Sequence, residues 1–166
     1  DKKHLTPDSM RKLILGPGPG FQDRKKQDAD KGVETIGIDI ISEFEPDYCL
    51  DIEEDFPIFK EQFDEVECHH IFEHIGSNKT FRRIMWDIWK ALKVGGTLDI
   101  CVPYWKCPSA VECFEHVRFF NENSFMNFYN NPYIKEMKLP AFELVINEVR
   151  QHGNGSQEVH VCMRKI

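Results

Sequence analysis

A glycine-rich turn is the first feature of this sequence that could do chemistry. The apolar run KLIL (12–15) is followed at once by alternating glycines and prolines, Gly16, Pro17, Gly18, Pro19 and Gly20. Glycines at such a turn let the backbone bend sharply and approach a ligand closely. A turn after a strand is also a common structural element, so the motif needs a second feature beside it.

Two aspartates supply that second feature. Asp39 ends the run ETIGID, 19 residues after Gly20, and an acid at about this distance accepts hydrogen bonds from both ribose hydroxyls of a nucleoside cofactor. Asp51, near the end of DYCLDI, could contact an adenine edge. Each aspartate alone could equally be a solvated or capping acid. The combination of glycine turn and spaced acids favours a nucleoside site.

A histidine-rich run raises the question of a metal. His70, Glu73 and His74 follow the order H-x-x-E-H, and residues four apart share one face of a helix, as in zinc proteases. Here the run straddles the predicted end of a strand, so no helix face is expected. The sequence therefore predicts no metal site.

Apolar periodicity places the candidate residues at the ends of strands. Strand-like runs cover 12–15, 34–41, 47–52, 63–68 and 97–103, and a hairpin pattern joins 142–149 to 158–163 through a G-N-G turn. An amphipathic helix is predicted over 78–92, capped by Ser77 or Asn78 and stopped by the glycine pair 95–96. A shorter helix is predicted from Asn121 to Tyr129. Strands that alternate with helices indicate a mostly parallel sheet that binds ligands at its carboxyl ends.

Size and charge limit the possible functions. The chain has 166 residues and a net charge of −7, which predicts a single domain over 1–166 and argues against nucleic acid as a main partner. No apolar run approaches the roughly 20 residues of a membrane span. Six cysteines occur without a C-x-x-C pair, which favours reduced, buried thiols and a cytoplasmic protein.

The order of these motifs resembles the class I S-adenosylmethionine-dependent methyltransferases. LILGPGPG resembles the first motif of that family, ETIGIDI the ribose-binding strand and DYCLDI the adenine-side motif. FDEVECHHIFEHI, LKVGGTLDICVPY and HVRFFNENSF resemble later segments. The resemblance implies a Rossmann-like, doubly wound α/β fold, with a mostly parallel seven-stranded sheet whose last strand is antiparallel. S-adenosylmethionine is the cofactor that it implies.

Residue by residue, the resemblance places the methionine part of the cofactor at the glycine turn, its ribose at Asp39 and its adenine between Asp51 and Ile52. The residues that it implies for cofactor binding are Gly16, Pro17, Gly18, Gly20, Asp39, Ile40, Asp51, Ile52, Cys68, His69 and His70. Because neighbouring residues of a strand point to opposite faces, at most one of His69 and His70 can face a given site.

Methyl transfer from a sulfonium needs an aligned acceptor and, for a hydroxyl or amine, a base. His70 and His116 are the candidate bases, since imidazole titrates near neutral pH. Alternatively His70 packs against the cofactor and His116 orients a loop. Tyr104 and Trp105 are candidates for the acceptor pocket, and Arg118 could hold an anionic acceptor group or pair with a surface acid.

The leading hypothesis is a methyltransferase that acts on a small molecule or saccharide, with nucleic acid unlikely and no membrane partner. The alternatives are a catalytically silent cofactor-binding domain and an enzyme that uses the cofactor without methyl transfer. Two departures from the family pattern matter. The segment 21–31 is so polar that a loop or a short exposed helix is expected after the glycine turn. Only an N-terminal extension, 1–11, precedes the first strand, so a partner chain or a missing segment is expected to complete the site.

Overall fold

A computed structural model describes residues 9–166 of the chain. Most of the predicted N-terminal extension lies outside these residues, and the first strand begins at Met10. Seven strands form one sheet: β1 (Met10–Leu15), β2 (Val33–Asp39), β3 (Tyr48–Cys49), β4 (Phe63–His69), β5 (Leu92–Pro103), β6 (Phe142–Gln151) and β7 (Gln157–Lys165).

The order of the strands is β3-β2-β1-β4-β5-β7-β6. The pairs from β3 to β5 are parallel, whereas β7 runs antiparallel to both β5 and β6. The predicted fold is therefore confirmed, including the reversed last strand and the hairpin that carries it. The crossing from β1 to β4 puts the carboxyl ends of β1, β2 and β4 side by side, at the position where such sheets bind ligands.

Two main helices cover the sheet. α1 (Phe21–Asp30) follows the glycine turn, and Phe21 is its one buried residue. It is a regular helix of ten residues, longer than the loop or short helix that its polar sequence suggested. α2 (Asn78–Ala91) begins with Ser77, whose hydroxyl accepts a hydrogen bond from the Thr80 amide. The apolar stripe of α2 is buried as predicted, and a third helix, α3 (Pro108–Val111), forms one turn.

The glycine pair at 95–96 does not end α2, contrary to the prediction. The helix stops at Ala91 and β5 begins directly at Leu92. The pairing of β4 with β5 is irregular between Phe63 and Glu65, and the glycines lie in that irregular part. A side chain at Gly96 would lie 3.1 Å from the Phe63 carbonyl oxygen, so the pair permits close approach of two strands.

Two other predicted elements are shorter than expected. The run 47–52 pairs with β2 only over Tyr48–Cys49, and the predicted helix from Asn121 reduces to one 3₁₀ turn at Met126–Phe128. The Asn121 side chain accepts a hydrogen bond from the Asn123 amide. This local bond stabilises a turn in place of the start of a helix.

The cysteines are free in the described structure. All six belong to the described residues and none is paired. Burial was predicted for the cysteines, and four of them are buried: Cys68, Cys101, Cys107 and Cys162. Cys49, in contrast, is exposed. Among residues 9–166, no helix combines the length and the apolar character that crossing a membrane requires.

Close contact between Phe21 and Gly37 fixes α1 on the sheet. A Cβ atom at Gly37 would lie 2.4 Å from Cζ of the buried Phe21 ring. Replacing Gly37 with alanine should lower the free energy of unfolding by about 1–3 kcal/mol, because the ring has to move out of a filled space. Urea denaturation would measure the loss. Gly153→Ala is the control, since no described atom lies within 4 Å of its added Cβ; equal stability of the two variants would contradict the contact.

Candidate functional site

A cleft of about 390 Å³ opens at the carboxyl ends of β1, β2 and β3. Its walls combine apolar side chains with carboxylates, which suits a ligand that has both an aromatic base and hydroxyl groups. The lining residues are Gly16, Ile38, Asp39, Ile40, Leu50, Asp51, Ile52, Glu53, Ile71, His74, Ile75 and Glu115. This cavity is the first cleft.

The glycine turn and Asp39 are joined directly. Oδ2 of Asp39 accepts a hydrogen bond from the Gly18 amide at 3.0 Å, and Oδ1 accepts one from the Ile41 amide at 3.0 Å. The Asp39 residue is only 8 % exposed. A carboxylate has about four acceptor positions, so two remain for hydroxyl groups of a ligand after both backbone bonds are made.

Gly16 forms the floor of the turn. Its φ is +62°, and an added Cβ would lie 2.1 Å from Cδ1 of Ile71. The Gly16 amide also donates to the Ile38 carbonyl. Glycine is therefore required here both by the backbone conformation and by the packing of Ile71.

Apart from His70, the predicted cofactor residues divide into two groups. Gly16, Asp39, Ile40, Asp51 and Ile52 line the first cleft. Pro17, Gly18, Gly20, Cys68 and His69 do not line it, although Gly18 contacts Asp39. Oδ1 of Asp51 accepts from the Glu53 amide at 2.8 Å, which turns the chain at the rim of the cleft.

Cys68 and His69 are held away from the cleft by β4. Cys68 is fully buried, and burial raises the pKa of its thiol well above the ordinary value. Nε2 of His69 lies 2.6 Å from Asp99, and Nδ1 lies 3.3 Å from Glu67. The strand continues through His69, so this ring stays on a polar face of the sheet and only His70 turns toward a cavity.

His70 leaves the strand through a left-handed backbone conformation with φ of +58°. Its Nδ1 lies 3.6 Å from Glu73 Oε1, and its Nε2 lies 3.5 Å from Glu158 Oε2. The Glu73 carboxylate beside the ring raises the pKa of the His70 imidazole and outweighs the effect of burial, which lowers it. The two carboxylates, Glu73 and Glu158, therefore hold the pKa of this imidazole above its usual value.

A second cleft, of about 660 Å³, lies beside the first. All of its lining residues except Pro103 carry an imidazole, carboxylate, amide or hydroxyl group. The residues are His70, Glu73, His74, Pro103, Ser109, His116, His152, Asn154, Ser156, Gln157 and Glu158. His74 lines both clefts, so a molecule in one lies next to a molecule in the other.

Tyr104, Trp105 and Arg118 do not line either of the two described clefts. Trp105 is 47 % exposed. Nε of Arg118 donates to the Ile75 carbonyl, and Nη2 donates to Asn78 Oδ1 at 2.8 Å. Its guanidinium thus ties a loop to the start of α2.

Sequence reasoning missed several residues of the second cleft, above all His152 and Glu158. Both belong to the β6–β7 hairpin, which the sequence presented only as a turn between strands. Because β7 runs antiparallel beside β5, its first residues lie next to the carboxyl end of β5. The H-G-N-G-S turn is the local sequence feature that marks this part of the second cleft. Its position beside the cleft follows only from the order of the strands in the sheet.

No family model matches the chain, and no curated protein matches it in sequence. Solved structures do match its fold. A methyltransferase from Methanosarcina mazei described as S-adenosylmethionine-dependent is 15 % identical, with a TM-score of 0.67, over 98 % of this chain and 95 % of that one. The N-methyltransferase NodS from Bradyrhizobium japonicum, crystallised with S-adenosylhomocysteine, is 13 % identical, with a TM-score of 0.64, over 94 % and 78 %.

A 16S rRNA adenine methyltransferase from Catenulisporales acidiphilia is 13 % identical, with a TM-score of 0.63, over 95 % of this chain and 85 % of that one. The chain therefore has the fold of the class I S-adenosylmethionine-dependent methyltransferases. Proteins of this fold include one that acts on RNA, so the expectation that nucleic acid is an unlikely acceptor is not supported.

Proposed function

We propose that this chain is a methyltransferase that binds S-adenosylmethionine in the first cleft. The observation that carries the proposal is the carboxylate of Asp39, which lies at the end of β2, accepts a hydrogen bond from the glycine turn and lines the cleft. Its two remaining acceptor positions match the two hydroxyls of a ribose. The crystallisation of NodS with S-adenosylhomocysteine supports the choice of cofactor.

The rest of the cofactor follows from the walls of the cleft. The adenine would lie between the apolar side chains beside Asp51 and Ile52, and the methionine part would extend over the glycine turn. α1 begins at Phe21, directly after that turn. Its free amides and positive dipole end would attract the carboxylate of the methionine part.

The acceptor would enter through the second cleft. Imidazole and carboxylate groups dominate there, which favours a small polar acceptor such as a saccharide or another hydroxylated molecule. His74 lies between the two cavities, so the acceptor would meet the sulfonium at this boundary. His70, between Glu73 and Glu158, and His116 are the candidate bases for its proton.

Calorimetry with the purified chain tests the cofactor. S-adenosylmethionine and S-adenosylhomocysteine should both bind at sub-millimolar concentration, because they share the adenosine and the amino acid ends. NAD, a dinucleotide with the same adenosine, is the control and should bind much more weakly. Absence of binding by both sulfur compounds would refute the proposal. Binding without turnover of any polar acceptor would instead favour a catalytically silent domain.

A further inference from the structure

Three potential metal ligands converge at the boundary of the two clefts. Glu73 and His74 lie in a 3₁₀ turn after β4, and His116 lies in the loop after α3. One carboxylate oxygen and one nitrogen from each ring all lie within 4.8 Å of one another. We propose that these residues form a binding site for a divalent transition-metal ion such as Zn²⁺.

The carboxylate of Glu73 is the strongest sign of a cation. Glu73 is only 2 % exposed, and its Oε2 is buried with no hydrogen-bond partner among the described residues. Its Oε1 lies 3.6 Å from Nδ1 of His70 and 3.9 Å from Nε2 of His74, and both separations are beyond hydrogen-bond distance. An ionised oxygen that is buried without a partner costs free energy. A bound cation would compensate that cost directly.

The His116 ring is already oriented for coordination. Its Nδ1 lies 3.1 Å from the Ala110 carbonyl oxygen. A carbonyl only accepts hydrogen bonds, so Nδ1 carries the proton and the lone pair lies on Nε2. Histidines that bind metals are commonly held through the other ring nitrogen in this way. The ring meets that of His74 edge to face, with centroids 4.8 Å apart.

Backbone bonds hold the two contributing segments together. The amides of Val117 and Arg118 both donate to the Glu73 carbonyl, at 2.8 and 3.2 Å. Arg118 also anchors the same loop to the carbonyl of Ile75. The ligands therefore come from segments whose relative position is fixed without a metal.

One carboxylate and two imidazoles form the donor set of several catalytic zinc sites, which leave a further position open. Bonds of about 2.0–2.1 Å place tetrahedral ligands about 3.3 Å apart, so ligand atoms that lie up to 4.8 Å apart would approach one another by up to about 1.5 Å on binding. The open position would face the second cleft. With Nε2 of His116 on the metal, His70 would remain as the base of the proposed reaction; the metal site itself does not depend on that function.

The test uses the full chain, stripped of metal with a chelator and free of cofactor. Titration with Zn²⁺ should show one site per chain with micromolar or tighter affinity. His74→Ala and His116→Ala should each weaken binding at least tenfold, whereas His152→Ala should leave it unchanged. His152 lines the same cleft but pairs with Glu158, which makes it a matched control. Glu73→Gln would be included if its circular dichroism shows a folded protein.

Cobalt provides an independent measurement. Co²⁺ should give visible absorption typical of nitrogen and oxygen ligands, and Zn²⁺ should displace it. A thiolate-to-cobalt charge-transfer band would put the metal on a cysteine and overturn the proposal. Failure of wild-type protein to bind Zn²⁺ below millimolar concentration would overturn it too, as would equal losses in His152→Ala and His116→Ala. Since cofactor is absent throughout, these results do not depend on S-adenosylmethionine binding.

Discussion

Replacing Asp39 with alanine should weaken the binding of S-adenosylmethionine by about a hundredfold. The carboxylate would accept hydrogen bonds from two ribose hydroxyls, and each bond to a charged group contributes about 1.5–3 kcal/mol, or about tenfold at the lower value. The same carboxylate accepts from the Gly18 amide, so its loss also frees the glycine turn. Calorimetric titration of both proteins measures the ratio of dissociation constants.

Asp39→Asn and Asp30→Ala separate the contribution of the hydrogen bonds at Asp39 from that of a negative charge anywhere on the protein. Asp39→Asn keeps one side-chain oxygen and the shape of the residue, so its loss of affinity should lie between those of wild type and Asp39→Ala. Asp30 is exposed at the far end of α1, and its replacement removes the same charge without touching the cleft. Equal affinity of wild type and Asp39→Ala would show that the ribose does not bind at this carboxylate.

The first cleft was largely predictable because its residues are close together in the sequence. A strand, a turn and the next strand bring Gly16 and Asp39 to neighbouring strand ends, so their spacing carries the three-dimensional relation. Ile40 follows directly after β2, and Asp51 lies two residues after the end of β3, for the same reason. Pro17 and Gly20 belong to the same motif but do not line the first cleft.

The second cleft was less predictable because it depends on the order of the strands. Glu158 approaches His70 only because β7 is inserted beside β5, and no short spacing records that. His69 was predicted to lie beside the cofactor, but β4 extends one residue further than the predicted strand and includes it. Its ring therefore lies on the same face as Glu67 and contacts Glu67 and Asp99, because a change of one position reverses the face of a strand.

The helix α1 is longer than its sequence indicated, because contacts with residues outside the helix stabilise it. It has almost no apolar face, yet Phe21 is buried against Gly37 and Arg24 reaches Glu67 on β4. The first contact is made with β2, the next strand along the chain, and the second with β4, 43 residues away from Arg24. Tertiary contacts therefore stabilise a segment that periodicity alone describes as exposed.

Replacing Glu67 with glutamine should lower the free energy of unfolding by about 2–3 kcal/mol, and the melting temperature by about 5–10 °C. The Glu67 side chain is 4 % exposed and contacts Arg24 through both oxygens, at 2.8 and 2.5 Å, and Lys12 at 3.0 Å. Glutamine would leave these cations near the sheet without their anion. This loss of unfolding free energy is smaller than that expected for a fully buried ion pair, because the Arg24 side chain is 40 % exposed.

The stability difference between wild type and Glu67→Gln should disappear in acid. Burial raises the pKa of the Glu67 carboxyl, but Arg24, His69 and Lys12 together lower it below its ordinary value. A carboxyl whose pKa is lower in the folded state stabilises the protein above its unfolded pKa of about 4.3. That stabilisation is lost as the pH falls through the lower folded value. The difference in melting temperature should therefore stay constant from about pH 7 to 5 and narrow below about pH 4.

Glu65→Gln is the matched control for this prediction. Glu65 lies two residues earlier on the same strand and contacts only Lys12 among the described cations, at 3.2 Å, with 24 % of its side chain exposed. A single ion pair of this kind contributes about 0–1 kcal/mol, so this variant should melt close to wild type. If both variants lose the same stability, general loss of charge is the cause. A large loss in Glu67→Gln alone would identify this carboxylate as the link between α1, β1 and β4.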